Sequence, residues 1–337
     1  MRRLILTMVV IGFLFLSSSY ADPTISHTNI KSAVNIQQGI VAHNYDEAWN
    51  ISNAIDFIAD CQHVDGGFGP PGQISYLNYT ATSLLVLGWL SSLNRVDLES
   101  AVDFIMGCYT GYGFGNVLYP ESADIISTWY AIRVLKYLGR LDLVDVGAIK
   151  DFVLGLSWDT TVMMALALDI LNNLNYLDVV DVDSVVNYLD SNPPNGVNYI
   201  DIGFLNTPLD EYPNILSTWA GIKILSILSR IDVVDADKIS RFISRAQNED
   251  GGFRQSEYDI GPSRIDYTYY AVDTLKMLGK LEKGNMPFAA LYSTIVANTG
   301  DLGSVLYALL TLECLSRIMI PLTISVNSTV LSLGDRV

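Results

Sequence analysis

A helix that runs into a paired-glycine turn and, after a polar and aromatic loop, into a second helix recurs along this chain, and this repeat constrains the fold more than any other feature. Its clearest copy spans Phe57 to Leu93, with Asp65, Gly66 and Gly67 at the turn. Glycine takes the left-handed backbone conformation at little steric cost, so the pair is expected to end the first helix there. The second helix is expected to begin near Thr80 or Thr82, whose hydroxyls suit the unpaired N–H groups of a first turn. Leucines at 84, 87 and 90 or 93 then give it one apolar face. A hairpin of this kind cannot bury its stripe alone and stacks on its neighbours.

Further copies follow in order. The second turns at Gly111 to Gly115 and enters its second helix at Ser127-Thr128-Trp129-Tyr130. The third passes from Leu156 into Thr160-Thr161 with almost no loop, whereas the fourth carries a long loop from Asn192 to Asn214. The fifth is again complete, from Phe242 through Asp250-Gly251-Gly252-Phe253 to Leu278, and a degenerate sixth covers Phe288 to Met319. Thr80 and Thr128 lie 48 residues apart, and Thr218 and Thr268 lie 50 apart, so the period is near 50 where the loop is full.

The two ends read differently. Residues 1–21 combine Arg2 and Arg3, an apolar run from Leu4 to Leu16 and small residues before Asp22, the pattern of a cleaved secretory signal. The run is shorter than the roughly 20 residues of a membrane span. The expected location is therefore secreted or at the cell surface, with membrane contact only through the signal segment if it stays uncleaved. Residues 22–44 read as a leader and 45–319 as the helical repeats. From 320 to 337 apolar and polar residues alternate, which predicts the opening strands of a β-sandwich-like segment.

Composition narrows the function classes. A formal charge of −16 over 337 residues and a pI near 4.4 argue against a nucleic-acid partner, whose phosphates require lysine and arginine. Three cysteines are too few for a disulfide framework. Cys61 and Cys108 hold equivalent places on neighbouring helices, whose axes lie about 8–10 Å apart, beyond the roughly 7 Å that a bridge tolerates. Buried thiols are expected. Asn50, Asn78 and Asn327 begin Asn-x-Ser/Thr sequences that could be glycosylated outside the cell.

The Q-x-x-D-G-G-F turns at Gln62 to Phe68 and Gln247 to Phe253, followed by Thr80-x-x-x-Leu84 and Thr268-x-x-x-Val272, resemble the repeat shared by protein prenyltransferase β subunits and the squalene and oxidosqualene cyclases. The resemblance covers residues 48–319. It implies an all-α fold, an α/α toroid of about six helical hairpins, with parallel inner helices around a cavity open at the loop end. The catalytic elements of those families are missing here. The Asp-x-Cys pair and later histidine that hold zinc have no counterpart, since Ala59, Met106 and Leu312 stand two before the cysteines and no histidine follows His63. No metal and no cofactor are expected. The acidic run of the cyclases is approached only by Asp181-Val182-Asp183-Ser184. Because the phrase Leu-Asp-x-Val-Asp recurs at 141–145 and 177–181, and with isoleucine first at 231–235, its aspartates read as caps of the next outer helix. The thioester sequence of the complement-type toroids is absent too, because Tyr109 follows Gly107-Cys108.

What remains is the set of side chains in the loops and at the inner-helix starts. Tyr79, Trp129, Tyr130, Trp219, Tyr267 and Tyr269 either wedge between hairpins or ring a cavity mouth suited to a sugar or a small hydrophobic ligand. Asp124 and Asp266 are carboxylates of the same region, open to capping or to paired acid–base chemistry. Arg254 and Arg264 flank one loop and are candidates for an anion. The expected function is a non-catalytic module that binds a small ligand, glycan or protein at the mouth. Two enzymatic alternatives stand beside it, a prenyltransferase- or cyclase-like enzyme with a rearranged site and a carbohydrate-active toroid using paired carboxylates.

Overall fold

The computed structural model describes residues 51–190, 199–200 and 202–315. Residues 1–44, read above as signal and leader, the alternating segment 320–337, Asn50 and Asn327 lie outside them. Twelve helices occur among the described residues. The outer set is α1 (Ile51–Asp60), α3 (Leu98–Met106), α5 (Val146–Leu154), α7 (Val182–Asp190), α9 (Ala236–Arg245) and α11 (Met286–Val296). The inner set is α2 (Leu77–Trp89), α4 (Ile125–Tyr137), α6 (Thr161–Asn173), α8 (Ile215–Ile227), α10 (Ile265–Met277) and α12 (302–315). Each inner helix packs on the next, from α2 to α4, α6, α8 and α10. Helices α2 and α12 share the wall of one cavity, which brings the first and last hairpins together and closes the α/α toroid.

The glycine turn is built differently from its sequence-level reading. Helix α1 ends at Asp60, before the glycines, and the chain then doubles back in a short bridge between Gln62 and Phe68. Gly66 stands at φ 84°, and a Cβ there would fall 2.1 Å from the Ser100 carbonyl oxygen, so glycine is needed both for its conformation and for its contact with α3. Gly251 repeats this at φ 91° against the Phe288 carbonyl of α11. Gln62 donates to the carbonyls of Gly66 and Asp97 and accepts from the Asp97 N–H at 2.8 Å. Gln247 does the same with Gly251 and Asn285. Asp65 and Asp250 accept from the N–H two residues on and from Ser75 and Ser263. The motif thus fastens each turn to the cap of the next outer helix.

The threonines shared by the first, second, fourth and fifth repeats do not cap the inner helices, whereas Thr160 in the third caps α6 by accepting from the Met163 N–H at 3.0 Å. Helix α2 starts at Leu77, and Thr80, a turn inside it, accepts from the Phe68 N–H at 2.8 Å while donating to the Tyr76 carbonyl. Thr128, Thr218 and Thr268 accept in the same way from Phe114, Phe204 and Phe253. These four phenylalanines are fully buried, so each pairing satisfies a backbone donor that has no water to turn to. The third repeat lacks such a turn. There Thr161 donates its hydroxyl to the Leu205 carbonyl at 2.6 Å and its N–H to Asn206 at 2.9 Å, so the long fourth loop supplies what the short third one cannot.

Inner helices end alike. Ser91, Gly139, Asn175, Ser229 and Gly279 all stand at positive φ just past the helix, and the N–H of the following residue returns to a carbonyl of the last turn, as Arg230 does to Leu225 at 2.7 Å. This is the Schellman ending. The repeated Leu-Asp-x-Val-Asp phrase comes next, and its second aspartate caps the outer helix as the sequence implies, with Asp145 accepting from Ala148, Asp181 from Ser184 and Asp235 from Lys238. Asp97 does so for α3 through Ser100, whose bonds hold its carboxyl below the usual range. Cys61, Cys108 and Cys314 are free and buried.

Candidate functional site

Counted from the first residue of each inner helix, positions five, six and nine of α4 and α12, six and nine of α2, and five and six of α10 line one cavity. At position nine stand Leu85, Arg133, Asp169, Lys223, Asp273 and Leu310, on α2, α4, α6, α8, α10 and α12 in turn. Charge therefore alternates around four consecutive helices, and the ring is stitched by hydrogen bonds. Trp129, at position five of α4, donates its indole N–H to Asp169 of α6 at 2.7 Å, and Trp219, at position five of α8, donates to Asp273 of α10 at 2.8 Å. Asp169 is buried, with Lys223 Nζ at 3.4 Å and Arg133 Nε at 3.9 Å. A buried carboxylate is tolerated because three donors surround it. The Arg133 guanidinium also lies 4.3 Å above the Trp129 ring, a cation–π contact. On the α6 and α8 side, then, charged and polar side chains are bonded to one another.

The other side is open. A cavity with about 560 Å³ of space free of atoms, its mouth included, lies between α2, α4, α10 and α12. Tyr79, Trp129, Tyr130, Tyr269, Tyr270 and Tyr307 supply its aromatic wall, and Leu85, Leu306 and Leu310 its aliphatic part. The Tyr270 and Tyr307 hydroxyls are 3.3 Å apart, and Tyr269 packs on both rings at 5.3 and 5.8 Å between centroids. Burial pushes the phenols of Tyr130, Tyr269, Tyr270 and Tyr307 above their ordinary value, so they stay neutral donors at physiological pH. Arg133 is the one charged residue among the described residues that line the cavity, and Asp169 offsets its charge.

Four of the ten residues singled out from the sequence meet in this wall, Tyr79, Trp129, Tyr130 and Tyr269. They sit in the first and second turns of inner helices, inside the lumen and not in the loops. The other six do not join them. Trp219 is a buried strut between α8 and α10, packed on Tyr270 at 4.9 Å. Tyr267 is buried under the Arg264 guanidinium at 4.7 Å. Arg264 pairs with the buried Asp266 at 2.6 Å. Asp124 caps α4 through the Ser127 N–H and hydroxyl. Arg254 binds Asn248 and the Ser256 carbonyl of its own loop and the Arg245 carbonyl at the end of α9. No pair of loop carboxylates lines the cavity among the described residues.

Arg133, Tyr307 and the lumen aspartates were missed from the sequence, although alignment of the inner helices on their threonines brings position nine into register. Asn78, a candidate glycosylation site, lines the cavity, and its partner Thr80 is fully buried.

Solved structures with this architecture include a glycosidase variant in complex with glucose, at a TM-score of 0.56 and 11% identity over 82% of this chain and 99% of that one. A second glycosidase variant reaches 0.53 at 10% identity over the same shares. Candida albicans protein geranylgeranyltransferase-I complexed with GGPP gives 0.48 at 14% identity, over 85% of this chain and 89% of that one. At these identities the likeness is one of fold. No curated protein matches the chain in sequence. The family model of the prenyltransferase alpha-alpha toroid domain matches twice, over residues 32–159 and 157–299. Repeats, closed helical ring and family model agree, and the chain belongs to the prenyltransferase alpha-alpha toroid domain family.

Proposed function

We propose that the chain is a secreted, non-catalytic binding module whose central cavity takes a small, largely apolar ligand through an aromatic wall. The observation that carries this reading is the composition of that wall, six aromatic rings and three leucines with a single guanidinium already held by Trp129 and Asp169. Apolar ligands with a few polar atoms suit such a lining, and the phenol pair of Tyr270 and Tyr307 offers them a hydrogen bond. The candidate carboxylates lend the enzymatic readings no support, because Asp124 caps a helix and Asp266 neutralises Arg264. Secretion rests on the apolar run from Leu4 to Leu16.

The fluorescent probe 1-anilinonaphthalene-8-sulfonate tests the reading. It is expected to bind the native protein with an emission shift, and Leu310→Trp, which fills the cavity, is expected to weaken that binding at least tenfold with the helical circular dichroism unchanged. An isotherm that survives Leu310→Trp, or turnover of a prenyl diphosphate or a glycoside by the purified chain, would overturn the proposal.

A further inference from the structure

Outside the cavity, the fourth and fifth loops are joined into one surface. The Ile215 N–H donates to the Gln255 carbonyl at 2.8 Å, the Ser256 hydroxyl donates to the Pro213 carbonyl at 3.2 Å, and the Tyr212 and Tyr258 rings pack 4.8 Å apart. Both tyrosines remain half exposed, and two aliphatic tips flank them, Leu209 at 94% and Ile260 at 99% exposure. Beside a packed tyrosine pair on cross-linked loops, aliphatic side chains held so fully in water are available to an interaction partner.

Carboxylates outnumber cations around these tips. Residues 206–214 and 254–263 contain Asp210, Glu211, Glu257 and Asp259 against Arg254 alone. Arg254 is spent on Asn248 and two carbonyls, and Arg245 of α9 reaches Glu257 at 3.4 Å. Glu211 is exposed and stands between the Leu209 tip and Tyr212. An apolar surface fringed by carboxylates complements a partner that is apolar and basic, whereas it repels anionic lipid. A glycan would cover the tyrosines but leave Leu209 and Ile260 without apolar contact.

From this we infer that the joined tips of the fourth and fifth loops dock a polypeptide segment carrying both apolar and basic side chains. The inference does not depend on what fills the cavity. Its test uses the full chain and short synthetic helical peptides built of leucine and lysine, of leucine and glutamate, and of serine and lysine, with phosphatidylcholine vesicles as a fourth probe. The leucine–lysine peptide is expected to bind best, and the pair Leu209→Ser with Ile260→Ser to weaken it about tenfold, the scale of losing one or two buried anchors. Glu211→Gln is expected to flatten the salt dependence of binding. Val179→Ser with Asp178→Asn, an apolar and acidic pair at the opposite end of the ring, is expected to change nothing. The exposure of all these side chains keeps thermal unfolding as a check that the variants are folded. Leucine–lysine binding that ignores the Leu209 and Ile260 changes overturns the proposal, as does equal binding of the leucine–glutamate peptide. Tip-dependent binding to the vesicles without peptide binding assigns the surface to a bilayer and overturns it as well.

Discussion

Single residues in this protein serve connections more than chemistry. Asp124 shows how a candidate acid becomes a cap. It accepts from the Ser127 N–H at 2.8 Å and from the Ser127 hydroxyl at 2.7 Å, while burial pushes its carboxyl up against those bonds. Asp124→Ala is expected to cost about 1 kcal/mol in urea unfolding, the usual worth of an N-cap. Asp124→Asn keeps the cap and removes the burial of an ionised group, so it is expected to match or exceed the native chain at neutral pH. Because the folded-state value is raised, that difference shrinks as pH falls and the native carboxyl takes up its proton. The capping role of the Leu-Asp-x-Val-Asp phrases was legible in the sequence because a cap is local, set by a residue and the N–H groups two or three positions on. The role of Thr80, Thr128, Thr218 and Thr268 was not, because their partners lie 12 to 15 residues away across the loop.

At the scale of the element, the inner helices carry two faces and the sequence pattern displays only one. Their apolar face is read from leucine spacing, but each helix is buried nearly all round, so the residues facing the lumen merge into the same apolar run. Position nine escapes that merger through its charge. Asp169, held by Trp129, Arg133 and Lys223, ties three successive inner helices. Asp169→Ala leaves both cations uncompensated and is expected to cost about 3 kcal/mol, the scale of breaking a buried pair from one side. In a double-mutant cycle, Trp129→Phe and Asp169→Ala are expected to couple by more than about 0.5 kcal/mol. Additive losses would show that the indole bond contributes nothing of its own.

For the whole molecule, closure of the ring decides what the lumen offers. Once α12 returns beside α2, rings from α2, α4, α10 and α12 meet in one cavity, and the phenols of Tyr130, Tyr269, Tyr270 and Tyr307 lose most of their water. Their folded values are raised, so the stability they lend is complete below the unfolded tyrosine value of about 10 and falls as pH rises beyond it. Phenolate absorbance is expected to show the lumen set ionising only as circular dichroism is lost. A single reversible transition for all nineteen tyrosines with the helices intact would contradict the packed lumen. By itself the sequence determined the number of hairpins, the places of the glycine turns, the capping aspartates and the family, because each depends on periodicity or on neighbours a few positions away. Only the tertiary structure decided which aromatics share a cavity, which carboxylates are spent on caps and ion pairs, and which loop tips stand in solvent. Those outcomes depend on helices separated by as much as the whole ring, and no local pattern records the distance between them.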